Sequence, residues 1–363
     1  MTPEVRKAVD QILAFTHKQN GGQNPTKSFN VTPRVEQSIE DKIMQSNAFL
    51  SQVNNVSVKE IKGDILGFGV PNTITKRTTT ANAQGSKRRP TDPTGLVQRS
   101  FECFEVEQDT CITWNKIDQW AHLPDFYQRY RNQVMFAQAR DRLLLMWNGQ
   151  ANVENTDALA HPLLQDVNKG FFQFMIEEYP ENVVGIDSTG AIVPIKIDPT
   201  DPDADFRNLN QLVYYLRYEK LHRLYQNRTG LRVLIGDELT ITENVELLGN
   251  EHHTKPSERR AVEDLLQKQT FGETLRVKSD EFPRRGIFLT ELSNLSRYYQ
   301  KGSMRRKLME DDHEKKGLVE YIFEREDYVV EAAEGAVCVH PDAIQMKDEE
   351  GNWAAASDVW TID

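Results

Sequence analysis

Apolar residues recur at helical spacing in five stretches of this chain. In the first, Thr2 offers an N-cap, Pro3 fits the first helical position and Glu4 suits the positive end of the dipole. Val5, Val9, Ile12 and Leu13 then share one face until Gly21-Gly22 stops the pattern. A short amphipathic helix is seldom stable alone, so this segment needs a surface to lie on. A second pattern, within residues 33–54, passes through Ile39, Ile43 and Phe49. The longest runs from Pro124 to Asn148, with Phe126, Tyr130, Val134 and Ala137 on one face and Gly149 at the C′ position. At 1.5 Å per residue it predicts a rod of about 35–40 Å. Two further helices are predicted: Leu163–Glu178, presenting Leu164, Val167, Phe171 and Phe174, and Asp205–Gln226, presenting Leu209, Leu212, Val213 and Leu216.

Strand patterns lie between them. They cover Val56–Ile61, Leu231–Gly236 (followed by a helix that Asp237 would cap), Gly286–Thr290 and Tyr328–Val330. Helix and strand alternate without a βαβ rhythm, so the predicted class is α+β. The tail after Pro341 mixes charge with Trp353 and Trp360, and no internal repeat is visible.

Residues 71–100 break the pattern. They are rich in Thr, Asn, Gly and Pro, and set Lys76, Arg77, Lys87, Arg88, Arg89 and Arg99 against one acid, Asp92. A structureless loop of this length is uncommon in a compact domain and is usually functional. Its flanks, Val56–Val70 and Val97–Thr113, predict a long two-stranded ribbon projecting from the body. A lone ribbon is marginal in water, so it too needs a surface. Its basic tip would suit the acidic surface of a neighbouring copy. The alternatives are a solvated loop or nucleic-acid contact, although no aromatic residue interleaves these cations to stack on bases.

The chain's 363 residues suffice for one large or two modest domains, and its 38% hydrophobic content can build a core. A net charge of −11 argues against a dedicated nucleic-acid binder, which neutralises phosphates with a basic face. It does not exclude a container whose inner wall tolerates DNA. No run is long enough to cross a bilayer and no leader is visible, so a soluble chain is expected.

Candidate chemistry is sparse. Cys103, Cys111 and Cys338 are an odd trio without CxxC spacing, which reads as reduced thiols. Gly67 and Gly69 lack the third glycine and the Lys-Ser/Thr ending of a phosphate loop. Glu251-His252-His253 lacks HExxH spacing. Asp198–Asp205 is rich in oxygen but lacks the glycine and terminal glutamate of a calcium loop. Cys338 and His340 would share a face on a strand, the weak basis for a thiol enzyme. No catalytic, cofactor or metal site is assigned.

Four phrases occur in order: Phe29-Asn30-Val31-Thr32-Pro33, Pro162-Leu163-Leu164-Gln165-Asp166-Val167, Asn294-Leu295-Ser296-Arg297-Tyr298-Tyr299 and Asp327-Tyr328-Val329-Val330-Glu331. Together they resemble the major capsid proteins of the P-two-like contractile-tailed phages (peduoviruses), over roughly residues 29–340. The resemblance implies the tailed-phage and herpesvirus capsid fold. Residues 1–28 would be a scaffold-like segment open to removal, 29–56 an N-terminal arm and 57–112 an extended loop. Residues 113–227 and 287–340 would form a peripheral domain with a spine helix at 124–148, 228–286 an axial domain and 341–363 a tail. It also implies self-assembly into pentamers and hexamers of an icosahedral head around double-stranded DNA, late in infection, in the host bacterial cytoplasm. The implied partners are further copies, a scaffolding protein with protease activity, a portal protein and packaged DNA by non-specific proximity, with no membrane. Maturation cleavage is expected near Phe29 and Asn30, and inter-subunit contacts at Lys76, Arg77, Lys87, Arg88 and Arg89. The rival readings are a minor virion part, such as a decoration or tail protein, and a cytosolic enzyme with a substrate-covering loop.

Overall fold

A computed structural model of the chain describes residues 29–68, 75, 96–120, 122–123, 125–241, 270–312, 315–347, 352–354 and 360–361, with positions scattered between 6 and 17. The helices used below are α1 (Pro33–Gln45), α2 (Trp114–Trp120), α3 (Phe126–Asn148), α4 (Phe171–Glu178), α5 (Leu209–Tyr215) and α6 (Arg223–Gln226). The strands begin with β1 (Phe29–Asn30), β2 (Asn54–Val58), β3 (Lys62–Phe68), β4 (Leu96–Glu102), β5 (Phe104–Glu107) and β6 (Thr110–Thr113). They continue with β7 (Val183–Val184), β8 (Ile195–Lys196), β9 (Leu231–Ile235), β10 (Thr270–Phe271), β11 (Thr274–Arg276) and β12 (Ile287–Glu291). The last six are β13 (Leu295–Gln300), β14 (Arg305–Asp312), β15 (Gly317–Val330), β16 (Val337–Val339), β17 (Ile344–Lys347) and β18 (Trp353–Ala354).

The 14-residue strand β15 organises the larger sheet, ordered β1-β14-β15-β13-β2, and also pairs with β5 and β6. A six-stranded sheet, β10-β11-β9-β12-β16-β7, forms the second layer of strands. It runs across the expected axial boundary at 286/287, because β12 pairs with β9 through five residues. Small additional sheets join β18-β17-β8 and β3-β4.

Trp147, fully buried near the end of α3, is the hub between the layers. Phe49, Phe171, Phe172, Phe282 and Phe288 surround it at ring separations of 4.8–6.0 Å, within reach of tilted and edge-to-face packing. A second core joins α5 to β9, β12 and β16 through Leu212, Val213, Val233, Leu289 and Val337. The predicted first helix finds its surface on the chain's own body. Val9 is buried, and Leu13 packs against the cluster of Ile112, Ile117, Phe126, Leu308 and Leu318.

Several predicted elements change. α3 keeps the predicted rod at 23 residues, starting after Asp125. Gly149, however, is extended rather than left-handed. It is needed because a Cβ there would lie 2.0 Å from the carbonyl oxygen of Asn168. The helix predicted over Leu163–Glu178 is only α4. Leu164 takes φ +59°, and the Gln165 carbonyl accepts from the amides of Gln150 and Ala151, which shapes 162–170 as a loop. The helix predicted over Asp205–Gln226 divides into α5, a π-turn at Leu216–Lys220 and α6, with Asn208 capping α5 by accepting from the Gln211 amide.

Candidate assembly elements

The predicted ribbon is shorter than its flanks Val56–Val70 and Val97–Thr113: β3 pairs with β4 in a seven-residue antiparallel register, from Lys62↔Glu102 to Phe68↔Leu96, while β2 pairs with β13 and β5 and β6 pair with β15 in the larger sheet. Two of the four phrases from the sequence form its footing. Leu295–Tyr299 on β13 pairs residue by residue with Glu326–Val330 on β15. Phe101 of the ribbon stacks on Tyr298, with ring centroids 5.0 Å apart and planes 11° apart. The buried Arg99 donates to the carbonyls of Val330 and Glu331, and the Glu102 amide donates to Asp327 at 3.0 Å. Tyr298 donates to Glu331 at 2.8 Å. Burial raises the Asp327 carboxyl to about 7, against the lowering pull of the Glu102 and Tyr328 amides. Burial, helped by Asp327, pushes the Cys103 thiol up to about 12.

Beneath this footing lies a buried ionic cluster that sequence reasoning missed. Glu40 of α1, Arg142 of α3, Arg297 of β13, and Glu324 and Glu326 of β15 are all nearly or fully shielded from solvent. Arg142 bonds Glu40 at 2.8 Å and Glu324 at 3.1 Å, while Arg297 pairs with Glu40 and Glu326. Tyr328 donates to Glu326 at 2.9 Å, and Asn168 donates to the Glu326 carbonyl at 2.9 Å. Burial alone would depress the Arg297 guanidinium, but Glu326, Glu40 and Glu324 hold it well above its ordinary range. Burial likewise opposes ionisation of Glu324, yet Arg142 and Arg297 hold it at about 2. For Glu40, burial wins and its carboxyl is raised.

α1 is anchored by a second carboxylate one turn earlier. Glu36 accepts from the amides of Gly302 and Met304 at 2.6 and 3.2 Å. Just upstream, Phe29 and Asn30 pair with Arg306 and Arg305 of β14, and Val31 donates to the Met304 carbonyl. The structure therefore places Phe29 and Asn30 on a sheet edge, with Phe29 buried. Lys76, Arg77, Lys87, Arg88 and Arg89 lie outside the described residues, as do Gly69 and Glu251-His252-His253.

The remaining candidate groups have structural partners. Lys347 places its ammonium 3.2 Å from Asp198 and 2.8 Å from Asp201, where the calcium reading needed a metal. Burial opposes ionisation of Asp198, but the hydroxyl and amide of Thr200, the Asp201 amide and Lys347 hold it at about 2. Among the described residues no group of three metal-ligating side chains forms. Burial raises the Cys338 thiol and lowers His340, which works against the thiolate–imidazolium pair that a thiol nucleophile uses. The tail contributes another element missed from sequence. Trp360 inserts between Phe172 and His340, donates to the Trp147 carbonyl at 3.2 Å, and receives a bond from Gln150.

The profile described as "Phage major capsid protein, P2 family" matches residues 8–341. The chain belongs to this family. It is 29% identical over 335 residues to "Capsid proteins" of Escherichia phage P2, covering 91% of this chain and 92% of that one. It is 26% identical over 312 residues to the "Major capsid protein" of Serratia phage KSP20, covering 84% and 86%. A chain of "Satellite phage P4 procapsid including size determination (Sid) protein" superposes with TM-score 0.74 at 27% identity, over 96% of this chain and 99% of that one. The fold is therefore the α+β fold of tailed-phage capsid proteins.

Proposed function

We propose that this chain is the shell-building subunit of a phage head and works as a structural protein rather than an enzyme. The superposition on a procapsid chain over nearly the whole length of both carries this reading. In the proposed division, residues 29–56 are an arm clamped by Glu36 and Glu40, and 57–112 are an extended loop rooted at Arg99 and Phe101. Residues 113–227 and 287–340 form a peripheral domain with α3 as its spine, 228–286 an axial domain and 341–363 a tail. Copies associate as pentamers and hexamers through apolar burial spread over several interfaces. A scaffolding protein with protease activity, a portal protein and packaged DNA are the further partners, and assembly occurs in the host cytoplasm. Negative-stain microscopy and sedimentation of the chain co-expressed with its scaffold-protease test this. Closed shells or capsomer rings support the reading, whereas a small oligomer under every condition overturns it.

Cleavage near Phe29 is part of the proposal. What supports it is the pairing of Phe29 and Asn30 with β14, which would keep a new N-terminus tied to the sheet. Mass spectrometry of mature particles is expected to show loss of about 28 residues; an intact Met1 refutes it. The cluster Lys76, Arg77, Lys87, Arg88 and Arg89 supplies the polar part of the loop's contact with an acidic neighbour. Reversing Arg88 and Arg89 to Glu is expected to lower shell yield and make the remaining shells less salt-tolerant, because exposed charge pairs are screened. Wild-type yield from the double variant counts against that contact.

A further inference from the structure

Leu159 is 95% exposed, whereas the other large apolar side chains at the described surface are 41–59% exposed. Its loop is nevertheless built to a fixed shape. Asp157 accepts from the amides of Leu159 and Ala160, and its own amide donates to Asp166 at 2.7 Å. The loop's base is tied by Gln150, Ala151 and Val153, whose amides donate to the carbonyls of Gln165 and Asp166. The phrase Pro162–Val167 thus ties the base of the loop that carries Leu159. Exposed Val153 lies in the same loop, Glu154 and Asp157 supply negative charge, and no Lys or Arg occurs from 151 to 168.

A complementary surface exists on the same chain. Between α1 and α3 lies an open cavity of about 250 Å³ with Val35, Ile39 and Met135 as its apolar lining and Arg34, Lys42 and Arg131 at its rim. That is far more than the ~30 Å³ of one water. A larger cavity lies beside Phe136, where Arg140 and Arg276 pair with Glu281 and Asp237. The Leu159 loop leaves the C-terminal end of α3, while the basic-rimmed cavity flanks Arg131 and Met135. Leu159 stands 95% exposed, so one copy does not fill its own groove with its own loop.

We propose that Leu159 is an assembly knob that seats in the Val35–Ile39–Met135 groove of a neighbouring copy. Glu154 and Asp157 face Arg34 and Lys42 across that contact. The contact is head-to-tail, which generates a ring when the rotation between copies closes. It rests on the shell-subunit reading and specifies one of its interfaces.

The test uses full-length chain carrying Cys111→Ser, with Leu159→Cys and Ser38→Cys in the same molecule, assembled and then oxidised. Ser38 borders the groove and is exposed. A ladder of covalent dimers and higher species on a non-reducing denaturing gel is expected, absent from either single-cysteine variant. Shells that assemble but yield only monomer overturn the contact and leave the shell reading standing. Failure of the unmodified chain to assemble removes the shell reading and this contact with it. Leu159→Asp provides the second arm. The unassembled subunit should melt as wild type, because the side chain contacts no core, while shell yield falls at least tenfold. Undiminished yield from Leu159→Asp also overturns the proposal.

Discussion

Replacing Arg297 with Ala is expected to destabilise the subunit by about 3–5 kcal/mol, the usual cost of removing one partner from a buried ion pair. The variant leaves Glu326 without its guanidinium and Glu40 with Arg142 alone, both carboxylates fully shielded. Neutralisation by proton uptake relieves part of this cost at low pH, so the loss should be largest near and above neutral pH. A triple variant separates charge balance from simple loss of packing. Arg297→Met with Glu40→Leu and Glu326→Leu leaves Arg142 facing Glu324 as a matched pair, and should lose far less than Arg297→Ala alone. Urea midpoints of the unassembled subunits compare the two. Equal losses would mean that the cluster acts through volume and not through charge.

The second large effect is a pH dependence seated at the ribbon's footing. Asp327 has a folded-state value of about 7 because it is buried, against an unfolded value near ~3.9. Between these values the folded chain binds the extra proton, so stability is highest below about pH 4 from this group and is lost as pH rises through 7. Three units correspond to roughly 4 kcal/mol. Asp327→Asn keeps an oxygen to accept from the Glu102 amide and removes the charge. It should flatten the slope between pH 4.5 and 8 and raise stability at pH 8. The groups facing Asp327 are the Glu102 and Tyr328 amides and the carboxylates of Glu326 and Glu102, with the Cys103 thiol nearby. The same slope in both proteins would remove Asp327 as its source. Because Asp327 holds the Glu102 amide, the ribbon's root is where ionisation would be felt first.

Much of the fold was readable where apolar periodicity is undisturbed. The 23-residue rod of α3 and the buried strands β9 and β12 follow from runs that side-chain packing merely confirms. β15 was largely invisible, and its chemistry explains why. Its inward positions Ile322, Glu324, Glu326 and Tyr328 alternate correctly for a strand, but two of them are acids. Buried carboxylates read as surface until their partners, Arg142 and Arg297, are known to meet them. Those partners are 182 and 27–29 residues away in sequence. The predicted helix at Leu163–Glu178 failed for a related reason. Its first half has helical spacing, yet tertiary bonds to Gln150 and Ala151 hold it as a loop.

The candidate assembly elements divide in the same way. The four ordered phrases carried the resemblance to the capsid family, and the ribbon's flanks and the long helix, read from periodicity, agreed with it. Local spacing, composition and motif order are properties of neighbouring residues, so one dimension records them. That Arg99 and Phe101 root the ribbon on β13 and β15, and that Glu40 joins an ionic core, was decided by tertiary structure alone. So was the outward display of Leu159 and the plugging of the core by Trp360. Each depends on which distant groups share a low-dielectric space, and burial sets the energy of a charge or an apolar surface only once the chain has closed around it.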